Sequence, residues 1–385
     1  MDRAARRHNA RPVLSVVVAT LVSSGSLSLG MPASSAVGNT CRARNVTQDS
    51  AADSNLQTVI RDAVRNDVIA VKFVCVGNFT IAKNLTLIGR PTAGLPWGVL
   101  NANGHGQVLV VPRAKVTLKN LKITGGAVSS WHLGAGITTA ARLLRLKDTV
   151  VDGNTGAGIY NTGTLTLNGS STISHNSKAG IHQDGYVAPI GASLTMNGTS
   201  TITGNSGYGI YSYYAHNNMN DSSSVSGNVT DVLDAVYNWE GTFTLNDAAL
   251  VADNIGNNAA IYNAATLTMN GSSSVNGNVT TIWRGGGIYN GSTGNITLND
   301  SSSVTGNSSV RSGGGIASDG VITMNGSSSI TGNTADADDN GSGNGGGVWL
   351  ACSATLTGGI DGGNVNDNYL GSGSPVENNI GGPSC

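Results

Sequence analysis

Ile261-Tyr262-Asn263, Thr266-Leu267-Thr268-Met269-Asn270 and Val275-Asn276-Gly277-Asn278 are the three runs whose reading decides the fold. In the middle run, Leu267 and Met269 alternate with Thr266 and Thr268. That period of two marks a strand with one buried face. Glycine or Asn-Gly separates the runs, which marks turns. The block returns as Ile159 to Asn161, Thr164 to Asn168 and Ile173 to Asn176. It returns again as Ile288 to Asn290, Ile296 to Asn299 and Val304 to Asn307, and as Ile316, Ile322 to Asn325 and Ile330 to Asn333. Successive copies begin roughly 22 to 32 residues apart. Repeats of this length form solenoids, because one copy cannot bury its apolar face alone. With no helical segment between the runs, each strand pairs with its equivalent one coil away, about 4.8 Å distant. Connections between parallel strands favour the right hand. The expectation is an all-β, right-handed parallel β-helix of about 10–11 coils over residues 68–370.

Two asparagine series recur with the coils. One is Asn168, Asn197, Asn220, Asn246, Asn270, Asn299 and Asn325. The other is Asn154, Asn176, Asn205, Asn228, Asn254, Asn278, Asn307 and Asn333. Asparagine tolerates the left-handed backbone a sharp corner needs, and stacked amides can bond along the axis. Both series are therefore read as corner structure.

Outside the repeats, Ser54 to about Asp67 carries Leu56, Ile60 and Ala63 on one face, with Ser54 and Gln57 at capping-box spacing. One helix is expected there, covering the open end of the stack. Residues 37–67 are read as an N-terminal cap and 371–385 as a C-terminal tail or cap. The first 36 residues read as an export signal: Arg3, Arg6, Arg7 and Arg11, an apolar stretch from Val13 to about Leu29, then Ser34 and Ala36. No later segment approaches the ~20 apolar residues of a membrane helix. The expected location is secreted, extracellular or cell-surface. Four cysteines, Cys41, Cys75, Cys352 and Cys385, allow three connectivities. Because a solenoid keeps sequence neighbours close, Cys41–Cys75 and Cys352–Cys385 are expected. Charged residues make up only 11% of the chain, and its 55 glycines follow no Gly-X-Y period. Collagen and charge-driven disorder are both excluded.

These motifs bring a family into view. Over about residues 41–370 the chain resembles right-handed parallel β-helix repeat proteins of the pectate-lyase-like superfamily. Gly286-Gly287-Ile288, Gly314-Gly315-Ile316 and Gly346-Gly347-Val348, with Val275-x-x-Asn278, Val304-x-x-Asn307 and Ile330-x-x-Asn333, are similar to the repeats of polymorphic outer-membrane proteins. The aromatic of that second element is missing from all three. The resemblance implies the fold and leaves the activity open, since one fold serves many functions. Lyases of the superfamily use Arg or Lys as base beside Asp-bound Ca²⁺. No such motif is matched residue by residue, so no catalytic residue is assigned.

Charge is uneven along the chain. From Val37 to Gly180 there are 15 Lys plus Arg against 6 Asp, a net of +9. From Ile181 to the end there are 2 Arg against 15 Asp plus Glu, a net of −13. Alternation points Lys115, Lys119, Arg145 and Lys147 outward, with Arg142 nearby and Lys119 one strand spacing from Lys147. Lys122, Arg113, Trp131, His132, Asp148 and Asp152 lie close in sequence. The leading reading of such a basic sheet face is a solvated surface whose lysines deter edge association; the functional reading is contact with an anionic polysaccharide. Asp336, Asp338 and Asn340, followed by Gly341, match the start of a calcium loop. Gly347 stands where the loop's Glu would be, so Ca²⁺ is the cofactor this stretch would take, if any. Asp231, Asp234 and Glu240 surround Tyr237 and Trp239, with Tyr213, Tyr214 and His216 one coil earlier; a glycosidase would use carboxylates beside aromatics. The leading expectation is a non-catalytic extracellular or cell-surface binding or adhesion protein with a polysaccharide partner and no nucleic acid. The alternative is a Ca²⁺-dependent polysaccharide lyase or a glycoside hydrolase.

Overall fold

A computed structural model describes residues 40–130, 132–186, 191–230 and 234–358, with the strands Tyr369–Leu370 and Ile380–Gly381. The leader 1–36, Trp131, Asp231 and Cys385 lie outside the described residues. The expected bridge Cys352–Cys385 therefore lies partly outside them too.

The strands stack into a parallel β-solenoid. Among the described residues they form sheets of thirteen, twelve, eleven and six strands running along one axis. One coil illustrates the path. Ile261–Asn263 joins the twelve-stranded sheet, Thr266–Met269 the thirteen, Ser274–Asn276 the eleven and Val279–Thr280 the six. Each strand pairs in parallel with its equivalents on the neighbouring coils, as Leu267 does with Phe243 and Ile296. The strand counts agree with the ten to eleven coils read from the repeats. Leu267 and Met269 are fully buried, as are Leu165, Leu167, Ile296 and Leu298, and one continuous core fills the interior.

Three differences from the sequence reading have physical causes. First, the coil gains a fourth side from Val229–Thr230 onward. These strands are two residues long, and the first three turn the apolar residue out: Val229, Ile255 and Val279 are exposed. They are too short, and reversed, to register as amphipathic runs. Second, the helix spans Leu56–Asp62, capped by Asn55, whose side chain accepts the Thr58 N–H at 3.2 Å; Ser54 is not the cap. Ala63 leaves the helix with an extended ψ of 148°. Leu56, Val59 and Ile60 pack into the core. Ahead of the helix, Arg42–Asn45 adds antiparallel to Val68–Lys72 at the start of the thirteen-stranded sheet, and Cys41 is bonded to Cys75. No helix among the described residues is long and apolar enough to cross a membrane.

The third difference concerns the corners. No asparagine of either series adopts positive φ. In one series the left-handed residue is the one before: Gly153, His175, Gly204, Gly227, Asp253, Gly277, Gly306 and Gly332, with φ between 49° and 65°. In the other it is the one after, as at Gly169, Asp221 and Asp300. The asparagines are left free to bond along the axis. Each Oδ1 from Asn176 to Asn333 accepts both the backbone N–H and the side-chain amide of the preceding coil's asparagine. The amide pairs lie at 2.8–3.0 Å, and every member is buried. The Asn168 series forms a second ladder, and Asn238, Asn263 and Asn290 a third. Buried polar groups favour pairing, and the Asn154–Asn333 ladder pairs them coil by coil, whereas Asn238 Oδ1 at the start of the third ladder has no partner among the described residues.

Candidate functional site

On the twelve-stranded sheet, Ile159, Ile181, Ile210, Val236, Ile261 and Ile288 point into the core. The next residue of each strand therefore points out. Those residues are Tyr160, His182, Tyr211, Tyr237, Tyr262 and Tyr289, held in register on consecutive coils. At about 4.8 Å per coil the row is about 24 Å long. Its central rings stack face to face: Tyr211 and Tyr237 are 5.0 Å apart at 2°, and Tyr237 and Tyr262 4.9 Å apart at 12°. His182 meets Tyr160 and Tyr211 edge-on, at 5.0 and 4.7 Å. Trp239 lies parallel to Tyr237 at 6.0 Å. Tyr186, Tyr213 and Tyr214 cluster beside it, and Tyr186 is 72% exposed. His132 reaches the Tyr160 end, with ring centroids 6.2 Å apart.

The far end of the row opens into a cleft of about 270 Å³ lined by Asn258, Tyr262, Trp283, Arg284, Tyr289 and Asp319. Arg284 stacks over Trp349 at 4.3 Å, and Arg311 lies 5.5 Å from the Trp283 ring. Trp283 is 53% exposed. Tyr160 and His182 are buried, at 7% and 6% exposed, whereas Tyr211, Tyr237, Tyr262 and Tyr289 are half-buried, so the open part of the strip runs from Tyr211 to Trp283.

Carboxylates punctuate the strip. The Tyr160 hydroxyl donates to Asp184 at 2.9 Å, and the Tyr289 hydroxyl donates to Asp319. Burial, then these carboxylates, push both tyrosines well above the ordinary phenol range. The hydroxyls stay protonated, as neutral donors. Asp234 is fully enclosed near Tyr208, Tyr237 and Tyr262, and burial raises its carboxyl well above the usual carboxylate range.

No family model, no curated protein and no solved structure matches this chain. The site must be read from its own geometry.

The residues singled out in the sequence are distributed over several faces. Tyr213, Tyr237 and Trp239 belong to the strip. Glu240 is exposed at a left-handed corner beside it, and His216 faces outward on the thirteen-stranded sheet, 3.0 Å from the Thr242 hydroxyl. The basic residues are not on the strip. Lys115, Lys119, Arg145 and Lys147 point outward from the thirteen-stranded sheet, with Lys119 and Lys147 in register and Arg142 exposed beside them. Lys122 instead pairs with Asp152 at 2.7 Å. Burial pushes the Asp152 carboxyl up, but hydrogen bonds from Lys122, His175 and Ser174 outweigh this and hold it below the usual range. Asp148 accepts from the Ser170 N–H and hydroxyl at a corner. In the loop at Asp336, its carboxylate accepts the Gly341 and Ser342 amides, while the Asn340 amide donates to Asp338 at 2.7 Å. Oxygens of Asp336, Asp338 and Asn340 thus share one turn, shaped by Gly341 at φ 77°.

The sequence reading missed the row itself. The signal was available: Ile-Tyr-Asn alternates in, out, in, so a buried Asn263 requires an outward Tyr262. On the thirteen-stranded sheet the same logic gives an outward column of threonines from Thr86 to Thr357, interrupted only by Arg145 and Asn218.

Proposed function

We propose that this protein is a secreted, non-catalytic polysaccharide-binding protein, acting in the extracellular space or at the cell surface, with the aromatic strip as its contact face. One observation carries the reading: the in-register row from Tyr160 to Tyr289, flanked by Trp239 and Trp283. Because Tyr211, Tyr237 and Tyr262 stack on one another, they turn ring edges and hydroxyls outward in line, while the exposed rings of Trp283 and Tyr186 leave apolar surface for the C–H face of a sugar. Asp319, half-buried at the Tyr289 end, and the hydroxyls of Tyr211, Tyr237 and Tyr262 supply polar groups at the margin of the strip, where a glycan's hydroxyls would bond. Secretion is supported by the leader and by the Cys41–Cys75 bond, which suits an oxidising compartment. The likeness to pectate-lyase-like and polymorphic-membrane-protein repeats belongs to this proposal as well.

The enzymatic alternative has less behind it. Asp184 and Asp319 already accept tyrosine hydroxyls, and Asp234 is enclosed, so these three do not form a free carboxylate pair facing the strip. Ca²⁺ would be held by Asp336, Asp338 and Asn340, where it would tie down a surface loop.

Binding of the purified mature chain to a panel of polysaccharides, with and without Ca²⁺, tests the reading. Replacing both Tyr237 and Tyr262 by Ala should weaken binding by about tenfold or more, the equivalent of ~1.4 kcal/mol, while the lost ring stacking lowers the melting temperature by a few degrees with the β-sheet circular dichroism retained. Equal binding by this double variant, or no binding by the parent, would end the proposal. Release of reducing ends or of unsaturated sugar would move the protein to the enzyme reading. A Ca²⁺-dependent rise in melting temperature that Asp338→Ala removes would establish the metal loop.

A further inference from the structure

The first five strands of the thirteen-stranded sheet carry a second surface, unrelated to the strip. Arg42 and Arg44 point outward from Arg42–Asn45, and Lys72 from Val68–Lys72. Arg42 and Lys72 are direct partners in register. With Arg44 and Arg90 they line a shallow cavity of about 420 Å³. Further along the same face, Ile88 pairs with Lys119 and Lys119 with Lys147, while Arg145 lies opposite Thr117. Lys115 and Arg145 border a second depression. Like charges set directly across from one another destabilise a sheet. Arg44 is paired with Asp49. Among the described residues, no carboxylate forms an ion pair with Arg42, Lys72, Arg90, Lys115, Lys119, Arg145 or Lys147.

Lysines and arginines are often placed on edge strands to deter aggregation, which accounts for Arg42 and Arg44 on the terminal strand Arg42–Asn45 but not for Lys115, Lys119, Arg145 and Lys147. Lys115–Lys119 is bonded to Leu85–Gly89 on one side and Leu143–Lys147 on the other. Leu143–Lys147 is in turn bonded to Thr164–Asn168. Both are interior strands with no free edge to protect, so the stacked charges answer to something outside the chain.

We propose that this face binds an anionic polysaccharide, a linear polymer with a fixed negative group on its repeating units. Charge complementarity identifies the occupant: two in-register like-charged pairs, spaced by the sheet, are relieved by anions running across the strands. These five strands carry no aromatic residue. A single-stranded nucleic acid would want one to stack its bases, and a flat sheet face does not enter a duplex groove. The basic face and the aromatic strip lie on different sheets, so the protein can hold a polyanion on one side and a second glycan on another, as a bridge does. The face stands independently of the strip.

Dextran sulfate, uncharged dextran of the same length and duplex DNA are the probes, offered to the mature chain at low and high salt. Dextran sulfate should bind, dextran should not, and added salt should weaken binding steeply, as for any polyanion. The triple variant Lys119→Gln, Arg145→Gln, Lys147→Gln should lose about tenfold or more in affinity. Its melting temperature should hold or rise, because like charges have been removed. Arg42→Gln with Lys72→Gln tests the other end of the face should the triple variant fold poorly. The Tyr237→Ala, Tyr262→Ala chain should bind dextran sulfate as the parent does, which separates failure of this face from failure of the strip. Dextran bound as tightly as dextran sulfate by the Tyr237→Ala, Tyr262→Ala chain, unchanged affinity in both charge variants, or tighter binding to DNA than to dextran sulfate would overturn the proposal.

Discussion

Asp234 is the residue whose environment is hardest to reconcile with its charge. It is 2% exposed, its Oδ1 has no hydrogen-bond partner, and burial raises its carboxyl far more than the bonds from its own backbone amide and from Asn258 lower it. A carboxyl whose folded pKa lies above its unfolded value, about 3.9, costs nothing while protonated in both states. Stability is lost as pH rises from the unfolded pKa toward the folded one. Asp234→Asn should therefore raise the melting temperature at neutral pH by about 2 °C or more and change little near pH 3, measured by thermal unfolding across pH. A variant with the parent's pH dependence would mean that Asp234 is ionised and compensated. Asp152 has the opposite sign: its carboxyl is held down, so its contribution is present above the unfolded pKa and disappears as pH falls through the folded one. In sequence the two aspartates look alike. Only the coil packing, which buries one and sets the other against Lys122, tells them apart.

At the scale of the element, the asparagine corner carries the most bonds per residue. The Asn228 amide donates to Asn254 Oδ1 at 3.0 Å and to the Ile202 carbonyl at 3.1 Å. Its oxygen accepts the Asn205 N–H and side-chain amide at 3.1 and 3.0 Å. Asn228→Ala would leave several buried groups unpaired at about 1–3 kcal/mol each, so a loss of about 3–5 kcal/mol is expected in denaturant unfolding. A loss under about 1 kcal/mol would show that the ladder relaxes around the gap. Both corner series were legible because they recur with the coils. Their backbone was not: the asparagines were expected to turn the chain, and their Gly, Asp or His neighbours do it instead. The third ladder and the tyrosine row were hidden together inside Ile-Tyr-Asn, where an amide faces in and a ring faces out. The two-residue strands of the fourth side left no periodic trace.

For the whole molecule, repetition made the architecture legible while concealing the surfaces. Strand order and core followed from the repeats. Which outward residues line up depended on register between coils of unequal length, and that register set Tyr237 on Tyr262 and Lys119 on Lys147. Stability in such a stack is near to a sum over neighbouring coils. A chain ending after Thr280 should accordingly still fold, with a lower melting temperature and β-sheet circular dichroism scaled to its length. An unfolded product would show that the C-terminal coils are required by all the others.

The corner ladder also has a direction. From Asn154 to Asn307, each asparagine N–H is accepted by the asparagine of the coil that follows it in the chain, never by the one before. Because these bonds join each coil only to its immediate neighbours, a chain delivered N-terminus first would acquire them in the order of delivery. Each new coil seals the one ahead of it, so that assembly keeps pace with synthesis like a zipper drawn from one end.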